Sequence, residues 1–363
     1  MDLYRTIKGV KEENLNSKFK LLRDHPDFRY AKTIVQDWTE GMNDRDGKMV
    51  REFQESFHSS FWEFYLYALF KDYGFEMDQS RSRPDFIIAK PFHAYVEAVV
   101  SNIKTDGRRE ITRGFEDVLS MIKSQLVLSD SNDVLIEAIV RHSNAFISKA
   151  KKYEEDYSKL DWIADDIPFV IALSAYDQVN YGREFLYPMM ALLYGQYYDF
   201  STHSYQVKKH VKKPGTSAKI PLGLFNSEKY KNISAVIFTC TVTLGKLTAL
   251  SISHGYQKNN LVYALRNDIG TPGHPYKIQV VRPDVPEVLE DGVFVFHNPY
   301  AKNKLPSVYF EKDGRSHIVQ FSMEQGKIIF NGIDTPIASR LDFHVEYMGV
   351  VNSLVSEFLE LHN

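Results

Sequence analysis

Two carboxylates carry the first chemical signal of this chain. Asp85 follows Pro84 directly, and Glu97 stands alone in the apolar run Tyr95-Val96-Glu97-Ala98-Val99-Val100. A carboxylate taken out of water without a partner costs several kcal/mol or takes up a proton. Each residue alone has an ordinary explanation: Asp85 as a turn acid making an Asx bond, Glu97 as the partner of a buried arginine or lysine. Together they point further. The breaker Lys90-Pro91-Phe92 separates two β-prone runs, 85–89 and 94–100, which predicts a hairpin-like pair. Paired strands can bring two such carboxylates to one face, where they repel each other unless a cation lies between them. Mg²⁺ takes about six oxygen ligands at ~2.0–2.1 Å, commonly one or two carboxylates with waters and phosphate oxygens. A metal so held polarises a phosphodiester and lowers the pKa of its water.

Basic residues flank this pair. Arg81 and Arg83 precede Asp85, and Lys104, Arg108, Arg109 and Arg113 follow Glu97. Arginine forks match phosphate oxygens, so these side chains can track a nucleic-acid backbone; solubility and helix-end decoration are the alternative. Residues 201–232 hold seven lysines (208, 209, 212, 213, 219, 229 and 231) against one acid, Glu228. With Pro214-Gly215 inside it, this stretch reads as a solvated loop or a DNA-engaging arm. Other chemistries find no support: Leu244-Gly245-Lys246 lacks the remaining residues of a phosphate loop, and there is no HExxH or Gly-x-Ser-x-Gly.

The elements that must position these residues follow from periodicity. Phe53, Phe57, Phe61, Phe64 and Ala68 recur at helical spacing over 48–73, and Gly74 stands where a C-cap glycine belongs. Helices are expected at 108–128, 141–160, about 183–197 and near 346–361. The continuous apolar run IPFVIALS (167–174) predicts a strand inside a covered sheet, and SAVIFTCTVT (234–243) another. Beyond 245 the chain reads as short strands and turns. The order predicts an α/β or α+β fold. Residues 1–45 are polar and mixed, with a helix or two.

The chain has 363 residues, 44% hydrophobic and 25% charged, with a formal charge of −3. That balance argues against indiscriminate coating of nucleic acid but leaves room for a local basic groove. A single cysteine, Cys240, excludes an internal disulfide and a cysteine-based zinc site. No apolar run approaches the ~20 residues of a membrane span, and the N-terminus MDLYRTIKGVKEEN lacks a signal-peptide core. A cytoplasmic protein with no membrane partner is expected.

Pro84-Asp85, eleven further residues, then Glu97-Ala98-Val99 resembles the metal site of the PD-(D/E)XK nuclease superfamily. The likeness covers roughly residues 50–176. It implies a restriction-endonuclease-like mixed central sheet flanked by helices, here with a β-rich C-terminal extension. Glu63, in Phe61-Trp62-Glu63-Phe64-Tyr65, matches the helical glutamate of that superfamily and would orient a metal water, with Glu55 as an alternative on the same helix. Asp85, Glu97 and the Ala98 carbonyl would hold Mg²⁺ (or Mn²⁺). The chain departs from the pattern at the lysine position, which is Val99. Some members supply that lysine from a neighbouring helix, and the charged helix at 141–159 offers Lys149, Lys151 and Lys152. Lys149 lies four residues after Ala145 and four before Tyr153, on the face that would meet a sheet. Lys152 is the second choice and Lys104 a distant third.

The resulting expectation is a metal-dependent endonuclease acting on DNA, with RNA as an alternative substrate, in restriction or antiviral defence by analogy alone. Arg81, Arg83, Lys104, Arg108, Arg109, Lys208, Lys209, Lys212 and Lys213 would contact the nucleic acid, and a homodimer is a further expectation. The expected layout is an N-terminal helical segment at 1–45, a nuclease core at 46–245 and a β-rich extension at 246–363, packed on the same domain or separate from it. The competing expectation is an inactive nuclease-fold module that binds nucleic acid or a protein partner.

Overall fold

The computed structural model describes residues 1–349, 351–353 and 356, apart from 104–106, 124, 176–178, 272–276 and 313–315. Helices α1 (Ser17–Asp24), α2 (Arg29–Trp38), α3 (Met49–Glu55) and α4 (His58–Asp72) come first. The apolar periodicity of 48–73 is one pattern in sequence but two helices in space. Phe57 breaks it at φ 64° and ψ −67°, a γ-turn closed by the His58 N–H donating to Ser56 C=O at 2.9 Å. Its ring is buried between Phe53 and Phe61, with centroids 5.2 and 5.1 Å away. Aromatic packing holds a backbone conformation that a phenylalanine rarely adopts. Gly74, at φ 72°, ends α4 as the sequence suggests, with the Phe75 N–H reaching Phe70 C=O.

The chain then lays down β1 (Glu76–Met77), β2 (Phe86–Lys90) and β3 (Ala94–Val100), an antiparallel meander. Helices α5 (Phe115–Ile122) and α6 (Ser131–Glu155) carry it over to β4 (Phe169–Ser174), parallel to β3. Helix α6 begins ten residues earlier than its charge pattern suggests, because the apolar stretch after Ser131 continues it. Helices α7 (Tyr181–Glu184) and α8 (Tyr187–Tyr194) replace the single helix expected at 183–197. The lysine-rich stretch is not a loop: it forms two hairpins, β5 (Gln196–Asp199) with β6 (Ser204–Val207), and β7 (His210–Lys212) with β8 (Lys219–Pro221).

Strand β9 (Ala235–Thr239) joins β4 in parallel, followed by α9 (Leu244–Ser253). Strands β10 (Asn260–Arg266), β11 (Lys277–Val280) and β15 (Ile337–His344) make a separate three-stranded sheet. Strands β12 (Phe294–His297), β13 (Val319–Glu324) and β14 (Lys327–Asn331) return to the large one. The result is an eight-stranded mixed sheet in the order β1-β2-β3-β4-β9-β12-β13-β14. The fold is mixed α/β, with helices on both faces of a large mixed sheet. The helix expected near 346–361 falls largely outside the described residues.

Strand alternation divides the core into two. Tyr95, Phe169, Ile171, Leu173 and Phe238 face α6 and α8. Ala94, Val96, Ala98, Val170, Ala172 and Ile237 face α2, α4 and α9. Trp62 of α4, fully buried, donates its indole N–H to the Ala172 carbonyl at 3.0 Å. No helix among the described residues is long and apolar enough to cross a membrane.

A buried ion network ties the C-terminal sheet to this frame. Lys246 of α9 donates to Glu287 Oε1 (3.0 Å) and to the carbonyls of Val288 and Asp291 (3.1 and 2.9 Å). Arg340 of β15 forks onto the same Glu287, with its Nε 2.7 Å from Oε2. The side chains of Lys246 and Glu287 are fully inaccessible. Removing one partner of such a pair strands the other charge in apolar surroundings, at a cost of ~3–5 kcal/mol. Glu287→Ala leaves two cations behind and is expected to lower the urea midpoint of unfolding sharply. A midpoint within experimental error of wild type would mean the network adds nothing to the fold.

Candidate active site

The hairpin register brings the two signal carboxylates together. Phe86 pairs with Val96, Ile87 with Tyr95 and Ile88 with Ala94. One step further along the same register, Asp85 stands opposite Glu97, both on the sheet face covered by α6. Asp85 Oδ2 accepts from the Ala98 backbone N–H at 2.7 Å. Arg45, which the sequence does not single out, donates to the Asp85 carbonyl at 2.7 Å and fixes the turn before β2. No local pattern betrays it, since the contact spans forty residues of chain.

Glu97 is 1% exposed, and its oxygens differ. Oε1 accepts from Lys149 Nζ at 2.6 Å and from Lys152 Nζ at 3.0 Å. Oε2 is buried and makes no well-aligned hydrogen bond among the described residues, and the Tyr157 hydroxyl also bonds to this carboxylate. Lys149 does lie on the inward face of α6 with Ala145 and Tyr153, and Lys152, one turn on, reaches the same oxygen. Lys152 Nζ also stands 4.7 Å over the ring of Tyr157. Burial, then the charge of Glu97, pushes the Tyr157 phenol up. Lys151 instead faces solvent and pairs with Glu155.

Glu63 belongs to the other layer, on α4. Burial first, then the charge of Asp85, raises its carboxyl well above the usual range, while Glu97 contributes least among its named neighbours. Glu55 ends α3, on the far side of the Phe57 break, so it is no alternative on the helix of Glu63. Among the described residues no group of three or more His, Cys, Asp or Glu is placed to hold a metal ion. A small cavity of about 10 Å³ lies beside Asp85, between Arg45, Tyr67 and Gln79, and Glu97 and Lys149 do not line it. A larger groove of about 880 Å³ lies past the end of β3, lined by Val100, Asn102, Glu55, Ser59, Lys18 and Arg109.

The flanking cations scatter. Arg81 stacks over Trp162 at 4.9 Å, and Arg83 pairs with Asp156 at 3.2 Å. Arg108 is held by Asp117 at 2.6 Å, and Arg109 lines the larger groove. Lys104 lies outside the described residues. Lys208 pairs loosely with Asp199 at 3.8 Å, and Lys209, Lys212 and Lys213 are exposed on the second hairpin.

A second polar cluster lies further up α6, which the sequence does not announce. His142 Nδ1 meets Ser101 Oγ at 2.9 Å, and the His142 Nε2 to Glu184 Oε2 distance is 3.6 Å. Arg141 donates to both Ser101 and Glu184. All four are buried, so the cluster anchors the helix to the end of β3 and presents no reactive group to solvent.

No protein-family model, curated protein or solved structure matches this chain.

Burial, then the charge of Glu97, raises the Asp85 carboxyl from its ordinary range to about 6, against the lowering effect of Lys149. The folded protein therefore holds this proton more tightly than the unfolded chain does. The stabilisation is complete below the unfolded value near 4 and is lost as pH rises through about 6. Asp85→Asn keeps the acceptor for Ala98 N–H and removes the charge. In chelator at pH 8 it is expected to melt a few degrees above wild type, with the gap closing towards pH 4. Parallel melting curves across that range would show that Asp85 feels no such crowding.

Proposed function

We propose that the protein is a metal-dependent nuclease of the PD-(D/E)XK type that hydrolyses nucleic-acid phosphodiesters, DNA first among them. One observation carries this reading: Glu97 is buried directly across from Asp85, with one carboxylate oxygen shared by two lysines and the other without a well-aligned hydrogen bond among the described residues. The order α4, β1, β2, β3, α5, α6, β4, with an antiparallel meander followed by a parallel strand, supports it. So does the lysine, which reaches Glu97 from α6 although strand position 99 is valine.

The donor set fits Mg²⁺ or Mn²⁺. An under-bonded buried carboxylate oxygen is stabilised by a cation, and Mg²⁺ asks for only one or two carboxylates with the remaining ligands from water and phosphate. Asp85 and Glu97 would hold it. The Ala98 N–H points to Asp85, and the carbonyl of a strand residue points to the same side as its N–H. That side is where β2 has ended, so the Ala98 carbonyl is the third candidate. Bound there, the metal would polarise the phosphate and acidify a water. Lys149 would place its ammonium beside the scissile phosphate and offset developing charge, with Lys152 holding Glu97 in register. Glu63, whose proton affinity is raised, would accept a hydrogen bond from a water near Asp85.

A second reading, a nuclease-fold module that binds without cleaving, is favoured by one fact: both ammonium groups are already engaged by Glu97. Supercoiled plasmid and a structured RNA, each incubated with Mg²⁺, Mn²⁺ or chelator, decide between the two. The nuclease reading expects cleavage only with metal, its loss in Asp85→Ala and Glu97→Ala, and a fall of about 100-fold or more in Lys149→Ala with Mn²⁺ binding kept. No cleavage by a wild-type protein that binds Mn²⁺ would leave the binding module standing.

A further inference from the structure

The second lysine-rich hairpin is more than a run of charge. In β7–β8, His210 pairs with Pro221, Val211 with Ile220 and Lys212 with Lys219. Val211 is buried in the core and Ile220 packs against it. Strand alternation then turns His210, Lys212 and Lys219 to the opposite face, with Lys208 two residues before His210. Lys212 and Lys219 stand directly across from each other. Like charges in that position are destabilising, and neither has an ion pair among the described residues.

A cleft of about 630 Å³ is lined by Lys208, His210, Val211, Lys212, Ser217, Lys219 and Tyr197, so residues of both hairpin faces border it. Lys208 Nζ lies 3.6 Å over the Tyr197 ring. Among the described residues no acid lines the cleft. Asp199 pairs with Lys208 at 3.8 Å, and the charge of Asp133 reaches the Tyr197 phenol. The other wall is Ile136 of α6.

We propose that this cleft is a phosphate-binding site that takes the backbone of a nucleic acid. A phosphate between Lys212 and Lys219 relieves their repulsion and gains two charge-assisted hydrogen bonds. The Ser217 hydroxyl and His210 add donors, and the buried Tyr197 ring holds the Lys208 ammonium at the cleft. The geometry sorts the lysines of this stretch: 208, 212 and 219 line the cleft, while 209 and 213 do not. The site is separate from the carboxylates, because Ile136 lies thirteen residues before Lys149 on α6. That is ~20 Å along the helix axis, about six nucleotides at B-form spacing.

The test is binding of labelled DNA of about twenty nucleotides, single-stranded and duplexed, to the full-length protein in chelator. No metal chemistry takes part, so the outcome is independent of the nuclease reading, and Asp85→Ala is expected to bind as wild type does. Lys212→Ala/Lys219→Ala should weaken binding by roughly tenfold or more and lower the salt slope by about two. Lys209→Ala/Lys213→Ala removes the same charge outside the cleft and should change affinity less than about threefold. The 212/219 pair should melt at or above wild type, since a repulsion is gone; if it melts lower, Lys212→Gln/Lys219→Gln carries the comparison with its stems intact. Inorganic phosphate as competitor separates the sources: displacement of the DNA assigns the cleft to a single phosphate group, and persistence assigns it to the extended backbone. Equal weakening by the two pairs, or by neither, would overturn the proposal.

Discussion

The position of α6 is set by one buried charge. Glu97 sits in the middle of a strand with 1% of its surface exposed, and a carboxylate there persists only where cations come to it. Lys149 and Lys152 come from the same helix one turn apart, so their joint reach to a single oxygen fixes both the rotation of α6 about its axis and its height along β3. Arg141 and His142, two turns earlier, fasten the other end to Ser101 and Glu184. Helix α6 is therefore held to the sheet by polar anchors as well as by Phe146 and Tyr153, and apolar packing alone would have tolerated more than one setting.

Much of this was legible before the structure, for a physical reason. Strands β2, β3 and β4 are local alternations or apolar runs between breakers, and a lone acid in such a run advertises a need for a partner. The partner itself was readable because helical spacing put Lys149 in line with Ala145 and Tyr153. What could not be read depends on space and not on neighbours in the chain. Arg45 acts on Asp85 through a backbone carbonyl, and Tyr157 meets Lys152 only after the helix has ended. The break at Phe57 was hidden because phenylalanines continue on both sides of it at helical spacing, and only tertiary packing holds the turn. The ion network of Lys246, Glu287 and Arg340 was equally silent, its members scattered over almost a hundred residues.

Charge, too, reads differently in space. In sequence, Lys208 to Lys219 is a cluster with one meaning. The hairpin imposes a period of two on it, so alternate residues part company. Val211 secures the hairpin to the core, and the residues on either side of it are turned outwards. A formal charge of −3 over the whole chain says little about such a surface. By contrast, the arginines beside Asp85 and Glu97 are spread among Trp162, Asp156 and Asp117, and only local contacts decide where each one goes.

The strand order carries a consequence for how the protein is made. β4 is an interior strand, but its outer neighbour β9 lies some sixty residues later, and β12 comes later still. At about 5–20 residues per second, the nascent chain spends several seconds with the meander and α6 emerged and one side of β4 bare. That side is a row of unpaired N–H and C=O groups on a strand apolar but for Ser174, a template for pairing with another chain. No charge or proline within Phe169–Ser174 guards it. The interval before β9 docks is thus the moment in the protein's life when self-association is least opposed, and its length is set by translation speed.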